Sequence, residues 1–320
     1  MHVIVHGGAG SPPEEPADRQ SALDAAAERG GGAPSPVGAV CEALGALESD
    51  PQFNAGVGGA VQSDGRIRTD AGLMTGDRAV GAACAMPGVV HAVDVARAVM
   101  TETPHVLLSG ERAVAFAAEQ GIDVHRDLWT GRTRERWADC DPPAADDVGG
   151  QIEWVRDRFG DTDPGGREGD ADDGADASPG GGDGTLPDGS GRPNDHDTVG
   201  AVACDGDTLA AATSTGGRWL ALAGRVGDVP QVGCGFYASA AGGASATGAG
   251  EDIARHTLAR RAVQHLEGGA SAPAAAEMTL TEFGDRAAGS AGVVVMGADG
   301  GAGEAYNSAA MQTARTGTDE

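Results

Sequence analysis

His196-Asp197-Thr198-Val199-Gly200 is the stretch from which the fold can be read. It closes a long acidic, glycine-rich segment and opens an apolar run, Val199 to Ala203. A threonine at such a seam admits two readings. It starts an ordinary strand, or it is the residue exposed when the Asp197–Thr198 bond is cut. In the second case Thr198 carries a hydroxyl nucleophile and its own α-amine as base. A free α-amine has a reference pKa of about 7.7–8.0, so near neutral pH part of it is unprotonated and can take the hydroxyl proton. These five residues do not decide between the readings; the rest of the chain does.

Immediately upstream, residues 160–195 hold ten Asp/Glu against two Arg, a net charge of −8. Asp, Gly, Pro and Ser dominate there, and large apolar residues almost vanish. Such a segment cannot bury enough surface to offset its chain entropy, so it is expected to be disordered. An inter-domain linker is the alternative, and the acids lack the spacing of a calcium-binding loop. Flexibility just before Thr198 would let two pieces form around a cut without dismantling the fold. The whole chain carries −26, which leaves −18 outside this segment, and all 22 of its Lys/Arg positions are arginine. Phosphates would be repelled, which excludes nucleic acid and anionic membranes as partners. Acidity this widespread fits solubility in concentrated salt, where screening removes the self-repulsion. A halophilic, cytoplasmic protein is therefore expected. Five widely spaced cysteines without a CxxC fit a reducing compartment. The start, Met1-His2-Val3-Ile4-Val5-His6, has no basic region of a signal peptide, and no run approaches the roughly 18 apolar residues of a membrane span.

Along the chain, Val3-Ile4-Val5 reads as a buried strand that leads into His6-Gly7-Gly8-Ala9-Gly10. Ser35 and Pro36 open a helix as cap and first-turn residue, with Val37, Val40, Cys41, Leu44 and Leu47 on one face, ending near Asp50-Pro51. Phe53 to Gly59 is a glycine-rich loop, and Val61 to Ile67 reads as two strands joined at Asp64-Gly65. Ala92 to Met100 and Glu111 to Glu119 are amphipathic helices, the second capped by Ser109. After the seam, Val199–Ala203 and Leu209–Ala212 flank a turn at Asp205-Gly206. A helix is expected from Asp252 to Leu266, with Ile253, Thr257, Leu258, Ala262 and Leu266 inward. Val293 to Met296 is a further buried strand, followed by a turn at Asp299-Gly300. Paired strands with helices between them predict an α+β arrangement of antiparallel sheets.

Seven segments then converge: HGGAG (6–10), LESDPQFNAGVG (47–58), TPHVLLSGE (103–111), DTVGAVA (197–203), ATSTGG (212–217), GRVGD (224–228) and TGAGE (247–251). In this order they make the chain resemble the plant-type L-asparaginase/isoaspartyl peptidase family of threonine N-terminal-nucleophile hydrolases. The resemblance spans about 5–311 apart from the acidic segment. It implies a four-layer αββα sandwich made as a precursor that cuts itself between Asp197 and Thr198. Residues 1–197 would then form an α-subunit and 198–320 a β-subunit, together one domain, paired again into a dimer of heterodimers. Carried over by motif, Thr198 is the nucleophile and Thr215 the second threonine beside it. Arg225 and Asp228 grip the α-carboxylate and α-amino group of a small-molecule substrate, since a zwitterion needs one fixed cation and one fixed anion. Thr247 and Gly248 form the oxyanion hole. Asn54 lines the active site. No cofactor is required. The backbone carbonyls of Leu47, Glu48, Asp50, Phe53, Ala55 and Val57 match the family's sodium loop, where side-chain identity matters little. Thr75 departs from the acid that many relatives carry in a Met-Asp-Gly turn, and the acidic segment is unusually long.

The expected reaction is hydrolysis of the asparagine side-chain amide or of β-aspartyl dipeptides. A glycosylasparaginase or threonine endopeptidase of the same fold is the nearest alternative. An uncleaved, non-catalytic binding protein is the alternative from another class.

Overall fold

The protein is described by a computed structural model over residues 1–160 and 198–317. The acidic segment from 161 onward, with His196 and Asp197, lies outside the described residues. Before the seam the chain runs β1 (His2–Gly10), α1 (Pro16–Gly31), α2 (Pro36–Glu48), β2 (Arg68–Thr75), β3 (Val80–Pro87), α3 (Ala92–Glu102), β4 (Leu107–Ser109), α4 (Gly110–Glu119), α5 (Gly131–Ala138) and α6 (Val148–Phe159). After it come β5 (Val199–Cys204), β6 (Leu209–Thr215), β7 (Phe236–Ser239), β8 (Gly242–Gly248), α7 (Gly250–His256), α8 (Leu258–Glu267), α9 (Ala272–Gly284), β9 (Ala291–Gly297), β10 (Ala302–Tyr306) and β11 (Ala310–Thr316).

The strands form two sheets, a mixed α/β arrangement. One has the order β11-β1-β5-β6-β2-β3-β4 and the other β10-β9-β8-β7. Every pairing is antiparallel except β3 with β4. The central strand β5 is buried along its whole length, and its side chains alternate between two cores. Val199, Ala201 and Ala203 join Leu23, Leu44 and Val95 from α1, α2 and α3. Val202 and Cys204 join Ala244, Val263, Leu280 and Val295, from β8, α8, α9 and β9. β6 obeys the same parity, with Ala210 and Ala212 in the first core and Leu209 and Ala211 in the second. This alternation decides where the polar residues at the strand ends go.

α2 begins as expected: Ser35 Oγ accepts the Gly38 N–H at 3.2 Å and Pro36 fills the first turn. Elsewhere the sequence reading needs correction. Val61 and Ile67 form only an isolated bridge around the turn at Gly65. Ser109 stands at the cap position of α4 but makes no capping hydrogen bond. The helix expected from 252 to 266 is two, α7 and α8, because Thr257 turns left-handed at φ 48° and is exposed rather than inward. Among the described residues no helix is long and apolar enough to cross a membrane.

Candidate active site

Thr198 immediately precedes β5 and has the parity of Gly200 and Val202, so it belongs to the side that faces the second sheet. On β6, Thr213 and Thr215 share that side. The Thr198 hydroxyl donates to Thr215 Oγ1 at 3.2 Å, and Thr215 Oγ1 also accepts the Gly217 N–H at 3.1 Å. Ser214, of opposite parity, turns away and donates to Glu48 Oε1 on α2 at 2.5 Å. Below Thr198 lies a buried polar chain: His6 Nε2 to Ser245 Oγ at 2.8 Å, Ser245 to Thr213 at 2.7 Å, and Thr213 Oγ1 donating to the Gly235 carbonyl at 2.8 Å. Burial pushes the His6 imidazole down to about 3, against a smaller opposing effect of the Thr198 backbone beside it. Burial therefore favours the neutral imidazole. Through Ser245 and Thr213 it ties β1, β8 and β6 together.

A cleft opens beside Thr198. Thr215, Gly217, Arg218, Arg225, Gly227, Asp228, Gly248 and Gly250 line it. Arg225 Nε and Nη2 donate to the two oxygens of Glu251, both at 2.9 Å, a bidentate clamp at the start of α7. Burial alone would raise the Glu251 carboxyl, but the Arg225 hydrogen bonds and charge hold it down at about 2. Asp228 is 5% exposed, and burial pushes its carboxyl up to about 7 despite Arg225 nearby. Its Oδ2 is buried without a hydrogen-bond partner. A buried, unpaired carboxylate oxygen is costly and suits an incoming cation. Arg225 and Asp228 come together at Gly250, where a Cβ would lie 2.8 Å from Arg225 Nη2 and 2.7 Å from Asp228 Oδ1. Asp70, on β2 opposite Thr215, is also pushed up to about 7 by burial and feels the Arg225 charge.

Three expected residues sit differently from the sequence reading. Asn54 does not line the cleft. Its Nδ2 donates to the Gly217 carbonyl at 2.6 Å and its Oδ1 accepts the Ala60 N–H at 2.8 Å. It thereby ties two glycine loops that touch backbone to backbone: a Cβ on Gly216 would lie 2.4 Å from Gly59 Cα. Thr247 is wholly buried rather than on the cleft wall, and its Oγ1 accepts the Ala9 N–H at 3.3 Å, whereas Gly248, at φ 132°, does line the cleft. Glu48 is not indifferent to its side chain. Its buried carboxyl accepts from Ser214 and from the Val93 N–H at 3.0 Å, with His91 Nδ1 at 3.5 Å. The carbonyls of Leu47, Glu48 and Asp50 accept the N–H groups of Asp50, Val57 and Phe53, respectively, so this loop is a hydrogen-bonded turn. Among the described residues no group of three His, Cys, Asp or Glu side chains gathers to hold a metal.

Glu251, Arg218 and Asp70 were not foreseen as site residues. Glu251 stood inside a matched motif without a role, while Arg218 and Asp70 have no sequence signal beyond their charge. A larger cavity of about 430 Å³ opens near Cys204, Leu209 and Ser239, but Asp77 and Asp207 are its only charged groups and it has no cation. It lacks the paired charges that a zwitterion needs.

A family model described as Asparaginase matches residues 1–320. The chain belongs to the asparaginase family. It is similar to the plant-type L-asparaginase of Pyrococcus furiosus, 35% identical over 87% of this chain and 83% of the relative. The isoaspartyl peptidase/L-asparaginase of Danio rerio is 34% identical over 93% and 86%. The plant-type L-asparaginase of Pyrobaculum calidifontis is 37% identical over 97% and 94%. As a member of the asparaginase family, the chain is a hydrolase.

Proposed function

We propose that this enzyme hydrolyses the side-chain amide of L-asparagine and the β-linked bond of isoaspartyl dipeptides through an ester on Thr198, after cutting itself at Asp197–Thr198. The observation that carries the reading is the Thr198 hydroxyl, hydrogen-bonded to Thr215 at the mouth of a cleft holding Arg225 and Asp228. In the precursor, Thr198 Oγ attacks the Asp197 carbonyl and the Thr198 nitrogen leaves, giving an ester. Water hydrolyses it to an Asp197 carboxylate and a free Thr198 amine.

In the mature enzyme that amine takes the hydroxyl proton while Oγ attacks the substrate carbonyl. The Gly248 N–H, on the cleft wall, stabilises the developing oxyanion, with Thr247 buried directly behind it. The leaving ammonia or amino acid takes the proton back, and water releases aspartate from the ester. Arg225, held flat by Glu251, faces the substrate α-carboxylate, and the unpaired Asp228 oxygen faces its ammonium. Helices packed outside each of two facing sheets support the four-layer αββα order. The carbonyls of Leu47, Glu48, Asp50, Phe53, Ala55 and Val57 would hold a structural sodium ion. The mature assembly is expected to pair αβ units into a dimer.

N-terminal sequencing of the smaller fragment tests the reading and should begin at Thr198. A Thr198→Ala variant should run as one full-length band and release no ammonia from asparagine. A cut, active variant would overturn the assignment.

A further inference from the structure

Asparagine carries one carboxylate, whereas a β-aspartyl dipeptide carries two: that of the aspartyl unit and the C-terminal one of the residue that leaves. The cleft beside Thr198 is lined by two guanidinium groups. Arg225 is one, clamped by Glu251. Arg218 is the other; two contacts hold its guanidinium, and the next residue is packed. Its guanidinium carbon lies 4.2 Å from the Phe159 ring centre, its Nη1 is 3.9 Å from Glu251 Oε2, and Trp219 beside it is buried under Arg136. Stacking uses the face of a guanidinium and leaves its N–H groups directed along the edge, the arrangement that suits a carboxylate. The chain that follows it is anchored too. Trp219 and Leu220 pack in a small core with Leu128, Trp129, Trp137 and Trp154, which collects all four tryptophans of the chain.

Charge points the same way. Arg225 and Arg218 face Glu251, Asp228 and the buried Asp70, so the site holds no cation in excess. A dipeptide with net charge −1 approaches a chain of −26 and gains most from a second fixed cation. We propose that Arg218 is a specificity-determining residue that receives the C-terminal carboxylate of a β-aspartyl dipeptide while Arg225 receives the aspartyl one. This rests on the function proposed above.

The test compares kcat/KM of the mature enzyme for β-aspartyl-leucine, β-aspartyl-leucinamide and asparagine, at the lowest salt that preserves activity, because salt screens a partly exposed pair. The amide lacks only the second carboxylate. The wild-type enzyme should prefer the acid by about 3- to 10-fold, the contribution of one partly exposed charge-assisted contact. In Arg218→Gln the ratio should fall to near one, whatever happens to the asparagine rate. Arg218→Met, which keeps the stem against Phe159, should give the same ratio and serves if the glutamine variant misfolds. A wild-type ratio near one, or a preference that survives both variants, overturns the proposal. Turnover of none of the three substrates by wild type would instead overturn the underlying function.

Discussion

Asn54→Ala separates a loop clamp from a substrate contact. Asn54 makes two hydrogen bonds, one to the Gly217 carbonyl and one from the Ala60 N–H, and the loops it joins leave no room for a side chain between Gly59 and Gly216. Truncation leaves the Ala60 N–H buried without this partner and the Gly217 carbonyl half-buried without it. A stranded buried group costs about 1–3 kcal/mol, and water partly relieves the carbonyl, so the total should be about 2–4 kcal/mol. At about 2 °C per kcal/mol for a chain of this size, the melting temperature should fall by about 4–8 °C. The melt belongs in a Thr198→Ala background, because one unbroken chain avoids the two fragments that the proposed self-cleavage would leave and that spoil two-state behaviour. Kinetics belong in the cleaved enzyme. There the loosened Gly216–Gly217 loop displaces Thr215, so kcat should fall by a larger factor than KM rises. Asn54→Asp keeps the acceptor for Ala60 but sets an oxygen against the Gly217 carbonyl, and should also melt early. A melting temperature within about 1 °C of the parent, with KM alone rising, would refute the clamp and return Asn54 to the substrate.

Two further outcomes follow from the buried groups around Thr198. Gly200→Ala places a Cβ 1.9 Å from Ser245 Oγ and 2.3 Å from His6 Nε2, so it must break the His6–Ser245–Thr213 chain; a stability loss of about 2–4 kcal/mol is expected in a denaturant titration, and self-cleavage should slow in a pulse-chase gel. On pH, burial lifts Asp228 to about 7, and only its carboxylate form can hold an ammonium, so kcat/KM should fall as pH drops below about 7. Protonation of the Thr198 amine, the proposed base, acts in the same direction. A kcat/KM profile that stays flat down to about pH 5.5 would contradict the raised Asp228.

The sheet centre was legible because its residues obey simple periodicities. Val199–Ala203 and Leu209–Ala212 are short apolar runs around an Asp-Gly turn, and both became neighbouring strands. Much of the second sheet was not. β8 reads GGASATG, a loop by composition, yet it is almost wholly buried because β5, β6, β9 and α8 all press on it and only small side chains fit. α1 was hidden for a related reason: its inward face is Arg19, Leu23, Ala26, Ala27 and Gly30, and Arg19 reaches the Gly7 carbonyl and stacks over Phe53. The site divided similarly. Thr198, Thr215, Arg225 and Asp228, singled out by motif, gather at one cleft, and strand parity explains why Thr215 reaches Thr198 while Ser214 serves Glu48. The Arg225–Glu251 clamp joins residues 26 apart through a strand pair and a helix start, a closeness that no local spacing encodes.

The sheet order also bears on what a cut at Asp197–Thr198 would do. In β11-β1-β5-β6-β2-β3-β4, strands from before and after the seam interleave. Three ladders cross between the two parts: β11 with β1, β1 with β5, and β6 with β2. The β1–β5 and β6–β2 ladders join buried strands, where a lost partner is expensive. Opening one peptide bond breaks none of them. It frees a terminus without freeing a fragment. That terminus arrives already placed, since His6 opposes Gly200 on one side and Ser214 opposes Val199 on the other. A nucleophile that must also be an N-terminus needs this combination: a chain end where solvent can enter, and two flanking strands that deny it freedom to move.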